Sequence, residues 1–455
     1  MDAMRATRES PSDVSSASLL SHLTHMFPNQ VDVRLYATPQ IQPGSTKARL
    51  VGRRFNEGFG LQHMKVYGFD DDVVISGANL SGEYFSQRKD RYLLIKGNKL
   101  LADYLHTLIL TVCRFSYALR YDGRPLPQHV TSANFDDYSA EANELYGAKF
   151  TLTWDGGRDI LMCEDADGTV GPGCFSQHVV FPQRKWAPLA SDAIARFTQR
   201  WNERMASASV PDKSVDTQVV PLLQMGPLNI TNETDMIPCM RKYLAELRTK
   251  NLGGNSRTLV DLTSGYFSLS ETYRALVLSD ELHDHSGGTP VVFRLVAASP
   301  KANGFYRSKG VSRRIPDAYT YLESLFWNEV VKKGLDKNGI GGASPPVELR
   351  EWQKYPWTYH EKGIWISPPE ISGAVLPLAT LIGSSNYGAR SESLDLECSL
   401  LVTTSATQLR RMFQDEVADM REDATVLMDS AAFDSPKRKV SPLTRFLARL
   451  VRAML

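Results

Sequence analysis

The sequence predicts an α/β protein with mixed sheets and two related halves. Strand-like and helix-like apolar patterns alternate along much of its 455 residues, which is typical of an α/β fold. A pattern of histidine, lysine and asparagine occurs twice, once near residue 63 and once near residue 360. Hydrophobic residues make up 42% and charged residues 23% of the chain, which are ordinary values for a globular protein. This composition excludes a chain that is mainly disordered or collagen-like.

The charge balance argues against a polyanionic partner. The chain has 52 lysines and arginines and 51 acidic residues, for a net charge of +1, so no global field favours nucleic acid. No run of 18 apolar residues occurs, and we therefore expect no helix that spans a membrane. The five cysteines follow neither a zinc pattern nor a disulfide framework, so we expect free thiols and no bound metal.

Periodicity predicts the elements of the first half. A helix is expected over 17–27 and a strand over 31–37, and a strand followed by a long helix over 91–113. Two further strands, 62–66 and 73–75, are joined by the turn-forming Asp70-Asp71-Asp72. The less regular segment 120–215, with its glycine-rich pieces at 155–157 and 168–173, reads as an insertion.

In the second half the same alternation restarts near residue 215. The predicted elements are a helix over 236–247, a strand over 258–262, a helix over 270–278, a strand over 291–298, a helix over 319–331, and strands over 359–366 and 376–382. We therefore divide the chain into a first lobe (1–215), a second lobe (216–430) and a basic amphipathic tail (431–455). The first lobe is expected to lack its opening strand and helix, because only 62 residues precede His63.

The repeated pattern carries the chemistry. His63 and Lys65 in the first copy, and His360 and Lys362 in the second, are two residues apart in strand-like runs. A period of two places each pair on one face of a sheet. A lone histidine is usually structural, but two such cassettes, one in each half, make coincidence a poor explanation. Asp70 follows the first pair as a further catalytic candidate, for which a role in the turn is the favoured alternative.

Each cassette ends in an asparagine and is followed by an acid. Asn79 ends the first and Asn386 the second, and Asp90 and Glu397 each follow 11 residues later. Ten extra residues between Trp365 and Leu376 account for the longer second copy. Asp90 and Glu397 are therefore the predicted carboxylates that orient the two imidazoles.

The cassettes resemble those of the phospholipase D superfamily. The stretches His63-Met64-Lys65, Ser76-Gly77-Ala78-Asn79 and Lys362-Gly363-Ile364-Trp365 are most similar to those of the eukaryotic CDP-diacylglycerol–glycerol-3-phosphate 3-phosphatidyltransferases. The resemblance implies two α/β/α lobes related by a pseudo-twofold axis, with the active site at their interface. A second cassette without the acid, where Ser367 stands, is itself typical of this family.

The same resemblance implies the reaction. CDP-diacylglycerol and glycerol 3-phosphate would give phosphatidylglycerophosphate and CMP through a phosphohistidine, as the first step towards phosphatidylglycerol and cardiolipin. By superfamily analogy His63 is the nucleophile and His360 the acid and base, although the residues alone leave the order open. Location on the mitochondrial inner membrane, as a peripheral protein, is also implied.

Positive charge and amide groups would stabilise the phosphoryl oxygens. Lys65 and Lys362 supply the charge, and Asn79, Asn386 and the hydroxyl of Ser384 can donate hydrogen bonds. These groups can replace a metal, so no cofactor is expected. Arg88, Arg390 and Ser391 are candidates for binding a substrate phosphate, with a solvated surface as an equally weighted alternative for the basic residues.

The tail predicts contact with an anionic membrane. Its apolar residues fall on one helical stripe, namely Leu443, Phe446, Leu447, Leu450, Val451, Met454 and Leu455. Cations precede the stripe and occupy its other face, as in helices that lie in a lipid interface. The alternative is a terminal helix packed on the core.

Two other functions stay open at this point. One is a different phospholipase D-type reaction, such as that of cardiolipin synthase, phosphatidylserine synthase or phospholipase D itself. The other is an inactive, membrane-associated partner protein, for which the short first lobe argues. The intact histidine, lysine and asparagine residues of both cassettes argue against it.

Overall fold

A computed structural model describes most of the chain as a mixed α/β protein. The described residues are 1–8, 14–41, 46–51, 53–121, 150–153, 183–207, 215–250, 256–283, 288–338, 344–369 and 375–454. The chain divides into two compact units. The first unit comprises Met1–Gln62 and Lys99–Ser209, and the second comprises His63–Asn98 and Val210–Leu455.

The first unit contains helices around a small antiparallel sheet. Its strands are Arg34–Leu35, Tyr117–Tyr121 and Phe150–Thr153, in that order. Its helices are Ala3–Ala6, Ser16–Met26, Thr46–Val51, Arg53–Asn56, Lys99–Cys113 and Gln183–Ser207. The predicted helix over 17–27 and the long helix ending at 113 are confirmed, whereas the strand predicted over 31–37 is reduced to two residues.

The helix Gln183–Ser207 shows that the segment 120–215, described above as less regular, contains a long helix. Trp186, Ala190, Phe197 and Trp201 recur at helical spacing and are all buried. The ring of Trp186 meets that of Phe115 edge-on at 5.7 Å. This buried apolar face stabilises the helix. In the sequence the pattern was hidden by the polar residues that separate the apolar ones. The predicted glycine-rich pieces at 155–157 and 168–173 lie outside the described residues.

The second unit is built on a nine-stranded mixed sheet. Its strands, in spatial order, are Val426–Leu427, Val347–Trp352, Val291–Ala298, Thr258–Ser264, Lys362–Ser367, Ala379–Gly383, Leu396–Thr404, Thr217–Met225 and Ile230–Thr231. The strand Val291–Ala298 pairs in parallel with both of its neighbours, Val347–Trp352 and Thr258–Ser264. Thr258–Ser264 pairs antiparallel with Lys362–Ser367, and the pairing stays antiparallel through the strands that follow in this order. Every residue of Thr258–Ser264 is buried, as expected where both faces of a sheet are covered.

Helices of the second unit pack on this sheet and on one another. They are Asn232–Thr249, Glu271–Val277, Asp280–His283, Ile315–Lys332, Ala389–Ser393, Thr407–Glu422, Ser430–Asp434 and Pro442–Leu450. Ile237, Met240, Leu244 and Leu247 form the buried face of the first of these. The predicted helices near 236–247, 270–278 and 319–331 and the strands near 258–262, 291–298 and 376–382 are confirmed within a few residues. The predicted strand over 359–366 is split into Thr358–Tyr359 and Lys362–Ser367.

The segment His63–Asn98 groups with the second unit, although the sequence assigned it to the first lobe. It forms a three-stranded antiparallel sheet of Val66–Phe69, Asp72–Ser76 and Tyr92–Ile95. A further strand, Arg88–Lys89, pairs in parallel with Thr358–Tyr359. This pairing between segments 270 residues apart could not be read from local periodicity, and the lobe boundary at 215 stays a prediction.

Among the described residues, no helix combines the length and the apolar character that crossing a bilayer requires. Cys113, Cys239 and Cys398 are free thiols, while Cys163 and Cys174 lie outside the described residues.

Candidate active site

The second unit brings the two cassettes together. His63 precedes its strand instead of lying in it, since the strand begins at Val66. The backbone N–H of His63 donates to the carbonyl of Leu396 at 2.9 Å, which places the imidazole at the start of the strand Leu396–Thr404. Its Nδ1 lies 2.9 Å from Oε2 of Glu397. The hydroxyl of Ser384 donates to the same oxygen at 2.5 Å, so it binds the carboxylate.

His360 has the corresponding arrangement with the other acid. Its Nδ1 lies 2.6 Å from Oδ2 of Asp90, and its backbone N–H donates to the carbonyl of Lys89 at 2.8 Å. Each histidine thus contacts the acid of the other cassette. The short parallel pairing of Arg88–Lys89 with Thr358–Tyr359 brings Asp90 to His360.

Both lysines fold back onto their own histidines. Nζ of Lys65 donates to the carbonyl of His63 at 2.6 Å, and Nζ of Lys362 donates to that of His360 at the same distance. Lys362 also lies 2.7 Å from Nδ1 of His360 and 3.9 Å from Asp90. Both lysines and both histidines are buried. Two buried cations therefore accompany two buried carboxylates, which limits the cost of removing each charge from water.

Burial and charge separate the protonation states of the site. Burial, and then the ammonium group of Lys362, lower the pKa of His360 to about 3 despite Asp90. Burial alone would raise the pKa of Asp90, but Lys362 and His360 hold it below its ordinary value. Burial raises the pKa of Glu397, partly offset by Lys65 and by the hydroxyls of Ser384 and Ser391. His360 is therefore neutral and Asp90 ionised near neutral pH.

A glycine permits this close packing. A Cβ atom on Gly77 would lie 2.6 Å from Oδ1 of Asp90 and 3.1 Å from Nζ of Lys362. Any side chain there would displace the carboxylate that contacts His360. The glycine of Ser76-Gly77-Ala78-Asn79 is thus explained by the site itself.

The remaining cassette residues are placed differently. Asp70 is exposed at the tip of the hairpin, with a φ of 52° in the left-handed region, so the structure places it outside the buried cluster and in the turn. Asn79 donates from Nδ2 to the hydroxyl of Tyr84 at 3.2 Å. The backbone N–H of Asn386 donates to the hydroxyl of Ser391 at 3.1 Å.

The basic candidates are partly buried and already paired. Arg88 lies 2.8 Å from Glu83, donates to the hydroxyl of Thr358 at 3.0 Å, and stacks over the ring of Tyr84. Arg390 pairs with Asp395 at 3.0 Å. Fixed geometry of this kind favours a binding or structural role over a freely solvated face.

Sequence reasoning did not assign two tyrosines that contact His360. The rings of Tyr84 and Tyr266 meet its imidazole edge-on at 5.3 Å and 5.4 Å. The hydroxyl of Tyr84 lies 3.4 Å from the imidazole nitrogens. Only the fold reveals that both tyrosines contact the same histidine.

Arg91, which follows Asp90 directly in the chain, has a structural position. It is buried, donates to the carbonyl of Leu381 at 3.0 Å, and pairs with Glu416 at 2.7 Å. Its guanidinium carbon lies 3.9 Å from the ring centroid of Trp365. Arg91 therefore anchors the segment that carries Asp90 to the central sheet.

One group in the described part of the chain has the composition of a metal site. Ligand atoms of His63, Asp395 and Glu397 lie within 4.8 Å of one another. However, Glu397 already contacts His63 and Ser384, and Asp395 already pairs with Arg390. We therefore describe this group as part of the ion-paired network around His63.

Comparison with solved structures places the fold. A phosphatidylserine synthase from Haemophilus influenzae Rd KW20 matches over 100% of this chain and 82% of its own, with a TM-score of 0.58 and 18% identity. At this identity the match concerns the fold alone, and the predicted α/β fold with mixed sheets is confirmed.

Sequence comparison identifies the family. No family model matches the chain. A CDP-diacylglycerol–glycerol-3-phosphate 3-phosphatidyltransferase from Saccharomyces pastorianus is 33% identical over 434 residues, which cover 92% of this chain and 70% of that protein. The mitochondrial protein of that name from Homo sapiens is 31% identical over 448 residues, covering 98% and 70%. This chain belongs to the CDP-diacylglycerol–glycerol-3-phosphate 3-phosphatidyltransferase family.

Proposed function

We propose that this chain transfers a phosphatidyl group from CDP-diacylglycerol to glycerol 3-phosphate, giving phosphatidylglycerophosphate and CMP. Family membership supports this reaction, because its relatives are named for it. The observation that carries the chemistry is the pair of buried imidazoles, each with Nδ1 against a carboxylate. Two oriented imidazoles in one unit suit covalent transfer through a phosphohistidine.

In the first step, Nε2 of His63 attacks the phosphatidyl phosphorus. The new P–N bond forms as the P–O bond to CMP breaks, and CMP departs with the bonding electron pair. Contact with Glu397 places the proton of His63 on Nδ1 and leaves Nε2 as the nucleophile. A phosphate monoester has a second pKa of about 6, so CMP can leave without a proton from the enzyme.

In the second step, His360 acts as the general base. A glycerol hydroxyl attacks phosphorus, the P–N bond breaks, and the hydroxyl proton passes to the imidazole. The lowered pKa keeps His360 neutral, which is the form that accepts a proton. General base catalysis contributes roughly 10²–10⁴-fold in rate when the pKa of the base lies near the operating pH, so a base with a lowered pKa contributes less. The proton then passes to solvent, which restores both histidines.

The two lysines stabilise the phosphoryl oxygens. One ammonium group about 4 Å from a phosphoryl oxygen contributes on the order of 4 kcal/mol at an effective dielectric constant near 20. Lys65 and Lys362 both point back towards their histidines, which is where the phosphorus would be bound. Asn79 and Asn386 would serve as neutral donors to the same oxygens. Arg88, whose charge acts on His360, would bind the phosphate of the acceptor.

We further propose a mitochondrial location with peripheral contact at the inner membrane. The relatives from animals are named as mitochondrial. In the tail helix, defined here as Pro442–Leu450, Leu443, Phe446 and Leu450 are 55%, 64% and 70% exposed. Its buried side is formed by Thr444 and Ala448. An apolar face that points to solvent supports a lipid interface over complete packing on the core.

The test uses the purified chain with CDP-diacylglycerol labelled in the phosphatidyl group. Variants are His63→Ala, His360→Ala and the control His106→Ala, which removes an exposed histidine from a helix of the first unit. We expect CMP release and phosphatidylglycerophosphate formation to need glycerol 3-phosphate, to be lost in the first two variants and to be kept in the control. Mass spectrometry of acid-free digests should place the trapped phosphatidyl group on His63.

Other outcomes would favour the alternatives. Serine, water or phosphatidylglycerol acting as the better acceptor would indicate another phosphatidyltransfer or hydrolysis. Label found on His360 would reverse the two histidine roles. No turnover by a folded chain in the presence of lipid would support an inactive binding protein.

A further inference from the structure

A cavity lies between the helix Ile315–Lys332 and the tail helix. Its volume is about 510 Å³, within the usual range for sites that bind small molecules. Tyr321, Ser324 and Asn328 line one side, and Arg445 and Arg449 of the tail helix line the other. The site around His63 and His360 contributes no residue to this lining.

The cavity lining carries more positive than negative charge. The guanidinium carbons of Arg445 and Arg449 lie 5.8 Å and 5.4 Å from the ring centroid of Tyr321. Within the described ranges, neither arginine has a carboxylate oxygen within 4 Å. A third arginine, Arg438, also lines the cavity but is bound to Glu351. One acid, Asp434, is present in the lining, so a positive balance remains.

An unpartnered polar group supports a ligand at the same place. Tyr321 is 6% exposed, and its buried hydroxyl has no hydrogen-bond partner in the described part of the chain. A buried hydroxyl without a partner is costly, and the residue that carries it lines the cavity. The two arginines beside it are the donors that phosphate oxygens prefer.

The apolar surface beside the cavity indicates what else the ligand carries. Phe446 lines the cavity and is also exposed, so it joins the arginines to the exposed face that includes Leu443 and Leu450. A molecule that matches both surfaces has an anionic head and an apolar tail.

We infer that this cavity binds the phosphate of one acidic phospholipid, whose acyl chains lie along Leu443, Phe446 and Leu450. The site is separate from the reaction centre, and it would let the enzyme recognise acidic lipid in the membrane where it works. This inference rests on the membrane contact proposed above, but not on the chemistry of the two histidines.

The test measures binding of soluble lipids to the full chain by calorimetry. The ligands are dihexanoylphosphatidylglycerol, dihexanoylphosphatidylcholine and inorganic phosphate. The variant Arg445→Gln/Arg449→Gln is compared with Lys437→Gln/Lys439→Gln, which removes the same charge from exposed residues outside the lining. We expect the acidic lipid to bind best, the arginine variant to weaken it at least tenfold, and the lysine variant to change it less than twofold. Thermal melts check that both variants are folded.

The outcomes separate a site from general attraction. Equal weakening by the two variants, or equal binding of the two lipids, would overturn the inference. Binding of inorganic phosphate as tightly as the acidic lipid would also overturn it, because the acyl chains would then contribute nothing. On vesicles, each lost cation should weaken binding about fivefold in either variant through the surface potential. If the native chain binds the soluble acidic lipid but does not bind vesicles, the proposed membrane contact is wrong and the lipid site is not. The transferase assay tests the two histidines independently of both.

Discussion

The substitution Gly77→Ala adds a single methyl group to the centre of the site. That Cβ would lie 2.6 Å from Oδ1 of Asp90 and 3.1 Å from Oδ2 of the same carboxylate. It would also lie 3.1 Å from Nζ of Lys362. The carboxylate cannot turn away freely, because Oδ1 accepts from the N–H of Arg91 at 2.8 Å and Oδ2 contacts His360 at 2.6 Å. The methyl group must therefore disturb at least one of these two contacts.

The size of the effect follows from the displacement. To reach an ordinary van der Waals distance, the carboxylate must retreat by roughly 0.8 Å, which is most of the 1 Å misplacement that costs about 10²-fold in rate. A loss of that size corresponds to about 2.7 kcal/mol of transition-state stabilisation. Overpacking should also lower the free energy of unfolding by about 1–3 kcal/mol.

The assay compares initial rates of CMP release and denaturant unfolding for Gly77→Ala and Gly68→Ala. Gly68 lies in the neighbouring strand Val66–Phe69, and a Cβ there would have no atom within 4 Å. We expect Gly68→Ala to retain its rate and to change the free energy of unfolding by less than about 0.5 kcal/mol. If Gly77→Ala keeps at least half the rate of Gly68→Ala and the same midpoint of unfolding, the reasoning about Asp90 is refuted.

Three further predictions concern residues around His360. Because its lowered pKa of about 3 keeps the base deprotonated, this histidine should cause no loss of kcat between pH 5 and pH 7. An acid limb near pH 6.5 that Lys362→Met shifts upwards, as loss of a neighbouring cation would shift the pKa of His360, would contradict this expectation. Removing the hydroxyl in Tyr84→Phe should lower kcat by roughly three- to tenfold with little change in KM, because the contacts to His360 and Asn79 are lost. The control Tyr355→Phe, at an exposed residue, should have no effect. Equal kcat values for the two variants would exclude a positioning role for Tyr84. Burial raises the pKa of Glu361 to about 7, so its stability contribution is complete below the unfolded pKa near 4.5 and is lost as the pH rises to 7. We therefore compare the free energy of unfolding of Glu361→Gln with that of the native chain. The difference should favour the variant by up to about 3 kcal/mol more at pH 8 than at pH 4. If urea unfolding gives the same difference at both pH values, the prediction is wrong.

The sequence was most informative where function repeats a short pattern. The spacing of His63 to Lys65 and of His360 to Lys362 located the residues that the second unit brings together. Equal spacing from asparagine to acid also identified Asp90 and Glu397. It could not show that each acid contacts the histidine of the other cassette, because spacing along one strand contains no information on pairing between distant strands.

Other features were not readable for related physical reasons. The helix Gln183–Ser207 was concealed because its buried aromatic and alanine residues are separated by charged ones in a segment judged irregular. The strand Leu396–Thr404 lacked clear alternation, since most of its residues are buried on both faces of the sheet. Tyr84 could not be placed against His360 from sequence, because 276 residues separate them.

The exchange of acids between cassettes also explains why the second cassette can do without an acid at position 367. The seventh residue after histidine is Asp70 in the first copy, where it lies exposed at a hairpin tip. In the second copy it is Ser367, at the buried end of a strand. Neither position contributes to the histidine–carboxylate pairs, which use Asp90 and Glu397 instead. The lack of an acid at position 367 therefore leaves both histidine–carboxylate pairs intact, whereas neither cassette alone would supply its histidine with such a carboxylate.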